Sequence, residues 1–250
     1  MQKLKVLILA KSYKNGGRCI AGKLVNFTEN NAVRVGAWVR PVSNGGAGNN
    51  AMKGEMYRYE DGSEVELLDI VEMSVLSHSP MSGQPENYVI DESQRWRKLS
   101  RLDARCIGSI TDNANDIWSE TGVSSNVVTP MYEKRGLVSQ SLYLIKPTSL
   151  KVTLSNNCYN GKYKRSIRAG FNYHGERYEN ISITCPSICR ALTNKYPVEG
   201  GAPITMTLMK GDNYVFCMSL APLYTVRNLH YKLVASVFDH DGYLQRRYAS

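Results

Sequence analysis

The sequence predicts a mainly β fold with a few short helices, built as two successive five-stranded barrels. Two observations carry this expectation. Strand-like runs near residues 3–10, 18–26, 32–42 and 64–76 are separated by segments rich in Gly, Asn and Ser, of which Gly45-Gly46-Ala47-Gly48-Asn49-Asn50 is the clearest loop. The pattern then restarts, with runs from Ser141 to Lys146 and Lys151 to Leu154, a long hairpin from Tyr163 to Thr184, and further runs at 203–209, 214–220 and 230–239.

Helical signals fall between the strands of each half. Trp96, Leu99, Leu102 and Cys106 recur at helical spacing among Arg95, Arg97, Lys98, Arg101 and Arg105, which predicts a basic amphipathic helix, and Asn113 to Glu120 is a shorter candidate. Pro186 opens a helical segment to Lys195, since proline suits a first turn. Strands, helix, strands in both halves is the order of an OB barrel, which carries its helix between the third and fourth strands and binds oligomers across strands 2 and 3. The reading is therefore two tandem OB-like barrels: residues 1–136, with a helical insertion, and residues 137–250, which are basic. In the hairpin, a three-residue loop of His174, Gly175 and Glu176 sets Ile167 opposite Ile183 and Ala169 opposite Ile181. The other face then carries Lys164, Arg168, Asn172, Tyr178 and Ser182.

The net charge of +9 is unevenly placed. Residues 1–140 hold 17 Lys and Arg against 16 Asp and Glu, a net +1, whereas residues 141–250 hold 14 against 6, a net +8. Such a field attracts polyanions, although solubility alone accounts for many basic chains. Cys19, Cys106, Cys158, Cys185, Cys189 and Cys217 lack paired short spacings, which predicts reduced thiols in a cytoplasm. The apolar run from Lys5 to Ala10 is far shorter than the roughly 20 residues a spanning helix needs, so no membrane partner is expected.

The most informative stretch is Ala32-Val33-Arg34-Val35-Gly36-Ala37-Trp38-Val39-Arg40-Pro41-Val42-Ser43. In an extended chain Val33, Val35, Ala37 and Val39 face a core, and Arg34, Trp38 and Arg40 point the other way. An indole between guanidiniums suits stacking on a base and pairing with phosphate. Trp38 and Tyr178 are expected to stack, and Arg34, Arg40, Lys164 and Arg168 to pair with phosphate. No catalytic residue, metal ligand or cofactor is implied. The string from Gly17 to Leu24 has the glycine and lysine spacing of a phosphate loop but lacks the final hydroxyl at Leu24. Cys185 and Cys189 fall short of a zinc ligand set. The acid pairs Asp112 with Asp116 and Asp239 with Asp241 read as solvated loop carboxylates before they read as a metal-dependent nuclease.

Lys11-Ser12, Cys19-Ile20-Ala21-Gly22, Trp38 to Ser43, Leu67-Leu68-Asp69-Ile70-Val71 and Gln84-Pro85-Glu86-Asn87 resemble the dual OB-fold family of bacteria. So do Ser141 to Ile145, Arg168 to Tyr173 and Tyr231 to Ala235 in the second half. The resemblance spans nearly the whole chain. It implies tandem OB barrels and a role in prokaryotic conflict systems, recognising nucleic acid or a nucleotide signal, with no catalytic residues. Carried onto this sequence, the matched positions are Lys11, Arg18, Trp38, Arg40, Glu86 and Asn87. The leading expectation is a non-enzymatic binder of single-stranded nucleic acid or a nucleotide. The alternatives are an interaction subunit that docks an effector protein in a defence complex, and a metal-dependent nuclease or nucleotide-processing enzyme.

Overall fold

The computed structural model describes residues 2–14, 16–29, 33–45, 51–159, 162–195, 204–207 and 214–239. Five strands close the first barrel: β1 (Gln2–Lys14), β2 (Gly17–Phe27), β3 (Val33–Val42), β4 (Asp69–His78) and β5 (Asn87–Ile90). Neighbours run in the order β1-β2-β3-β5-β4 and back to β1, with β3 and β5 parallel and the other pairs antiparallel. Closure depends on β1 serving two partners. Its residues from Gln2 to Leu7 pair with β4 and those from Val6 to Lys14 pair with β2, across a bulge between Ile8 and Ala10. The strands cross so closely that a Cβ on Gly22 would sit 2.0 Å from the Leu7 carbonyl oxygen, which glycine alone permits.

The basic helix expected around residues 95–106 does not form. Arg97–Arg101 is a sixth strand, β6, antiparallel to β4, and Ala104–Ile110 is a 3-10 turn. Pairing with β4 brings Arg97 to Glu72, Lys98 to Asp69 and Arg101 to both Glu66 and Asp69 at 2.7–3.2 Å. An isolated helix would leave those cations in solvent, so sheet pairing overrides the helical spacing. Between β3 and β4 lies a short 3-10 turn, Gly54–Tyr57.

The second half follows the same path after β7 (Val127–Val128) and a short helix, α1 (Pro130–Lys134). Its strands are β8 (Leu142–Ile145), β9 (Thr148–Tyr159), β10 (Lys162–Tyr173) and β11 (Glu176–Ile183). After the expected helix, α2 (Pro186–Lys195), come β12 (Ile204–Thr207), β13 (Tyr214–Leu220) and β14 (His230–Asp239). The order is β9-β10-β11-β14-β13-β8, with β11 and β14 parallel. β8 runs into β9 through Lys146 and Pro147, so the two segments together take the part of β1, divided where proline has no N–H for a ladder. β7 pairs with β14, and β12 extends the edge beyond β9.

The β10–β11 hairpin keeps the expected pairing of Ala169 with Ile181 but closes with a two-residue turn. His174 and Gly175 both have positive φ, 47° and 83°, as a type I′ turn requires. The extra residue is absorbed nearer the barrel, between Ala169 and Phe171, where Asn180 adopts φ 60°. That bulge shifts Tyr178 opposite Phe171 and moves it from the polar face into the core, stacked on Phe171 at 5.4 Å.

Candidate functional site

Lys23 on β2 and Trp38 on β3 lie opposite each other in the first barrel, on the strands an OB barrel uses for binding. Neither faces solvent: Lys23 is 4 % exposed and Trp38 5 %. Asp112, on the connector between the barrels, accepts from the Lys23 ammonium at 2.7 Å, from the Trp38 indole N–H at 3.0 Å and from the backbone N–H of Leu144 on β8 at 2.7 Å. Arg40 is 2 % exposed. Its Nη2 donates to Ser141 at 2.7 Å, to Glu86 at 3.2 Å and to Ser219 on β13 at 3.4 Å, while Nη1 meets the Cys19 sulfur at 2.8 Å. Ser141 also donates to Glu86. Around these polar groups Leu142, Leu144, Val215, Cys217, Ala235 and Phe238 of the second half join the core cluster of the first.

The expected outward face of β3 is therefore an inter-barrel seam. Trp38 and Arg40 are corrected from a solvent-facing surface to buried positions, because the connector and β8 cover the face that alternation left open. Ala37, expected inside, is exposed. Residues 4–237 match the family described as the Dual OB-containing domain.

The chain belongs to the dual OB-containing domain family.

No curated protein and no solved structure matches this dual OB chain. Its other candidate residues are spread over separate surfaces. Lys11 pairs with Glu64 at 2.7 Å and lies 5.6 Å from the Tyr57 ring. Arg18, on the strand where the phosphate-loop string was noted, packs its guanidinium 4.3 Å from the ring of half-exposed Tyr13. Glu86 is consumed by Arg40 and Ser141. Asn87 is fully buried, and its side-chain amide has no hydrogen-bond partner among the described residues. Tyr178 is 2 % exposed, with its hydroxyl accepting from the Ile117 N–H at 3.1 Å and bonded to Ser119 at 2.9 Å. Arg168 is half-buried and donates to the Asn180 carbonyl at 3.2 Å. Lys164 lies on β10 with its side chain outside the described residues, as do residues 46–50, the side chain of Cys158, and Asp241.

Among the described candidates Arg34 keeps the expected exposure beside an open groove. The groove holds about 550 Å³ at the tip of the β2–β3 hairpin and is lined by Asn26, Phe27, Thr28, Glu29 and Arg34. Asn26 pairs across from Arg34, and Phe27 from Val33. Phe27 is 37 % exposed, and the Lys5 ammonium stands 5.5 Å from its ring. No carboxylate pairs with Lys5 or Arg34 among the described residues, in contrast to the cations of β6. Lys5 and Phe27 were missed from sequence. Their available signal was an aromatic running past the apolar stretch of β2 into the polar turn Asn26-Phe27-Thr28-Glu29.

Among the described residues no helix is long and apolar enough to cross a membrane, and no three His, Cys, Asp or Glu side chains gather as metal ligands. The described cysteines are free thiols. Burial raises the Cys189 thiol to about 12 and pushes that of Cys217 up as well.

Proposed function

We propose that this dual OB protein is a non-enzymatic binder of single-stranded nucleic acid, held at the tip of the β2–β3 hairpin. The observation that supports this reading is an exposed ring, Phe27, with the Lys5 ammonium 5.5 Å from its centre, in a groove of nucleotide size that Arg34 also lines, neither cation having a carboxylate partner among the described residues. One face of the phenyl ring meets Lys5 and the ring is open enough to stack a base, while Arg34 is placed to pair with phosphate. The family resemblance adds a place in prokaryotic antiviral defence.

Fluorescence anisotropy with labelled oligo-thymidine tests the reading. Phe27→Ala is expected to weaken binding by about 1–3 kcal/mol. Arg34→Ala is expected to reduce the slope of log affinity against log salt by about 0.7, the value for one phosphate contact on a single strand. Affinity that is flat between low and moderate salt, or unchanged in both variants, would overturn it. A second reading, docking of an effector protein, is favoured by the β13–β14 loop, where Tyr224 is 50 % and Val226 75 % exposed. Retention of a partner on that loop, lost in Val226→Asp, is its test.

A further inference from the structure

The connector that fastens the barrels also walls a second cavity, of about 450 Å³, well within the range of small-molecule sites. Residues 113–120 were expected to hold a short helix and instead form an irregular segment laid on the second barrel. The Tyr173 hydroxyl donates to the Ala114 carbonyl at 2.8 Å and the Tyr178 hydroxyl receives the Ile117 N–H, so the backbone is satisfied by side chains rather than by a helix. Trp118 takes φ 52° and donates its indole N–H to the Gln140 carbonyl at 2.8 Å. Between this segment, α1 and the approach to β8, the cavity is lined by Asn113, Asn115, Asp116, Tyr132, Gln140 and Tyr143, among others.

The lining is a donor and acceptor pattern rather than an anion site. Asp112 has both oxygens committed to the seam. Asp116 accepts the Ser119 N–H at 3.0 Å on Oδ1, and no cation pairs with it among the described residues, which leaves Oδ2 as an acceptor. Tyr132 makes no side-chain hydrogen bond among the described residues, and burial together with the charge of Asp116 keeps its phenol protonated, as a donor, throughout the physiological range. Gln140 spends one of its two amide N–H groups on the Leu142 carbonyl at 2.8 Å and keeps its oxygen. Lys232, whose charge interacts with that of Asp116, is buried against the Tyr178 ring and does not line the cavity.

We propose that this cavity binds the base of a guanine nucleoside, with Asp116 and Tyr132 reading its edge. Guanine presents two adjacent N–H donors, N1 and the N2 amino group, which suit a carboxylate, and beside them an O6 acceptor for a phenol. Adenine sets an acceptor nitrogen against the carboxylate, and uracil or thymine offers one N–H between two carbonyls; each leaves a polar group facing its like. With no cation in the lining, phosphate adds nothing. The site is separate from the β2–β3 groove and does not rest on that reading.

Isothermal titration of the whole chain with guanosine, adenosine and guanosine monophosphate tests the assignment. Guanosine is expected to bind, adenosine to bind roughly 10- to 100-fold more weakly, and the monophosphate no more tightly than guanosine. Asp116→Asn, which keeps the size but turns a donor toward the base, is expected to lose a similar factor for guanosine. Tyr132→Phe, which retains the ring, is expected to weaken guanosine by a smaller factor and leave the thermal unfolding curve in place. Absence of guanosine binding, equal binding of adenosine, or guanosine affinity untouched in both variants overturns the proposal. Oligo-thymidine reports on the β2–β3 groove and guanosine on this cavity, so either reading can fail alone.

Discussion

Arg40 on β3 and Ser141 at the entrance to β8 stand 101 residues apart in sequence and 2.7 Å apart in space, inside a seam that excludes solvent. Among the described residues the guanidinium is the one cation paired with Glu86, so its removal strands a buried carboxylate. Arg40→Ala is expected to cost about 3–5 kcal/mol, measured by denaturant unfolding. Arg40→Met combined with Glu86→Gln is expected to regain most of that loss, because no charge is then left unpaired. A single variant as stable as wild type would contradict the pairing.

Trp38→Ala is expected to behave as a core truncation, lowering stability by about 3–5 kcal/mol. Oligo-thymidine affinity, measured where the variant is fully folded, is expected to be unchanged. Weakened affinity with an unaltered unfolding midpoint would restore Trp38 to the ligand surface.

Tyr178→Phe keeps the stack on Phe171 and deletes only the hydroxyl that holds Ile117 and Ser119. The orphaned Ile117 N–H is expected to cost about 1–3 kcal/mol, and hydrogen exchange in residues 112–120 is expected to quicken. Exchange at wild-type rates would show that the connector is held by other contacts.

Lys232 gives the molecule a pH dependence of definite sign. It is 2 % exposed, and burial lowers its pKa from 10.5 to about 8 against the pull of Asp116, Glu120 and Glu176. Between pH 8 and 10.5 the folded chain binds fewer protons at this site than the unfolded chain, so stability rises across that window and the penalty is present in full below it. The shift corresponds to about 3 kcal/mol at pH 7. Lys232→Met is expected to be more stable at pH 7 and to lack the rise; parallel pH profiles for the two proteins would remove Lys232 as its source.

The path of both barrels was legible because apolar alternation and turn residues report strands directly, and α2 followed from Pro186. The hairpin shows how far such reasoning reaches. Pairing of Ala169 with Ile181 follows from matching apolar faces, but nothing local distinguishes a bulge at Asn180 from a longer turn at Glu176, and that difference decides whether Tyr178 is inside or outside. Trp96, Leu99, Leu102 and Cys106 carry a helical period that β6 overrides, because the acids of β4 are distant in sequence. Trp38 and Arg40 read as a wet face for a related reason: amphipathic side chains suit solvent and a polar seam equally, and only Asp112, Ser141 and Ser219 decide between them.

The shared hydrophobic cluster that joins β8, β13 and β14 to the first barrel has a consequence for how the molecule melts and diversifies. Heat or denaturant should dissolve both halves in one step, with a single enthalpy for the entire chain. For the same reason a substitution in either half is felt by the other, so the pair is bound to drift together, and recombination that exchanged one half alone would deliver a protein with an open wound down its middle.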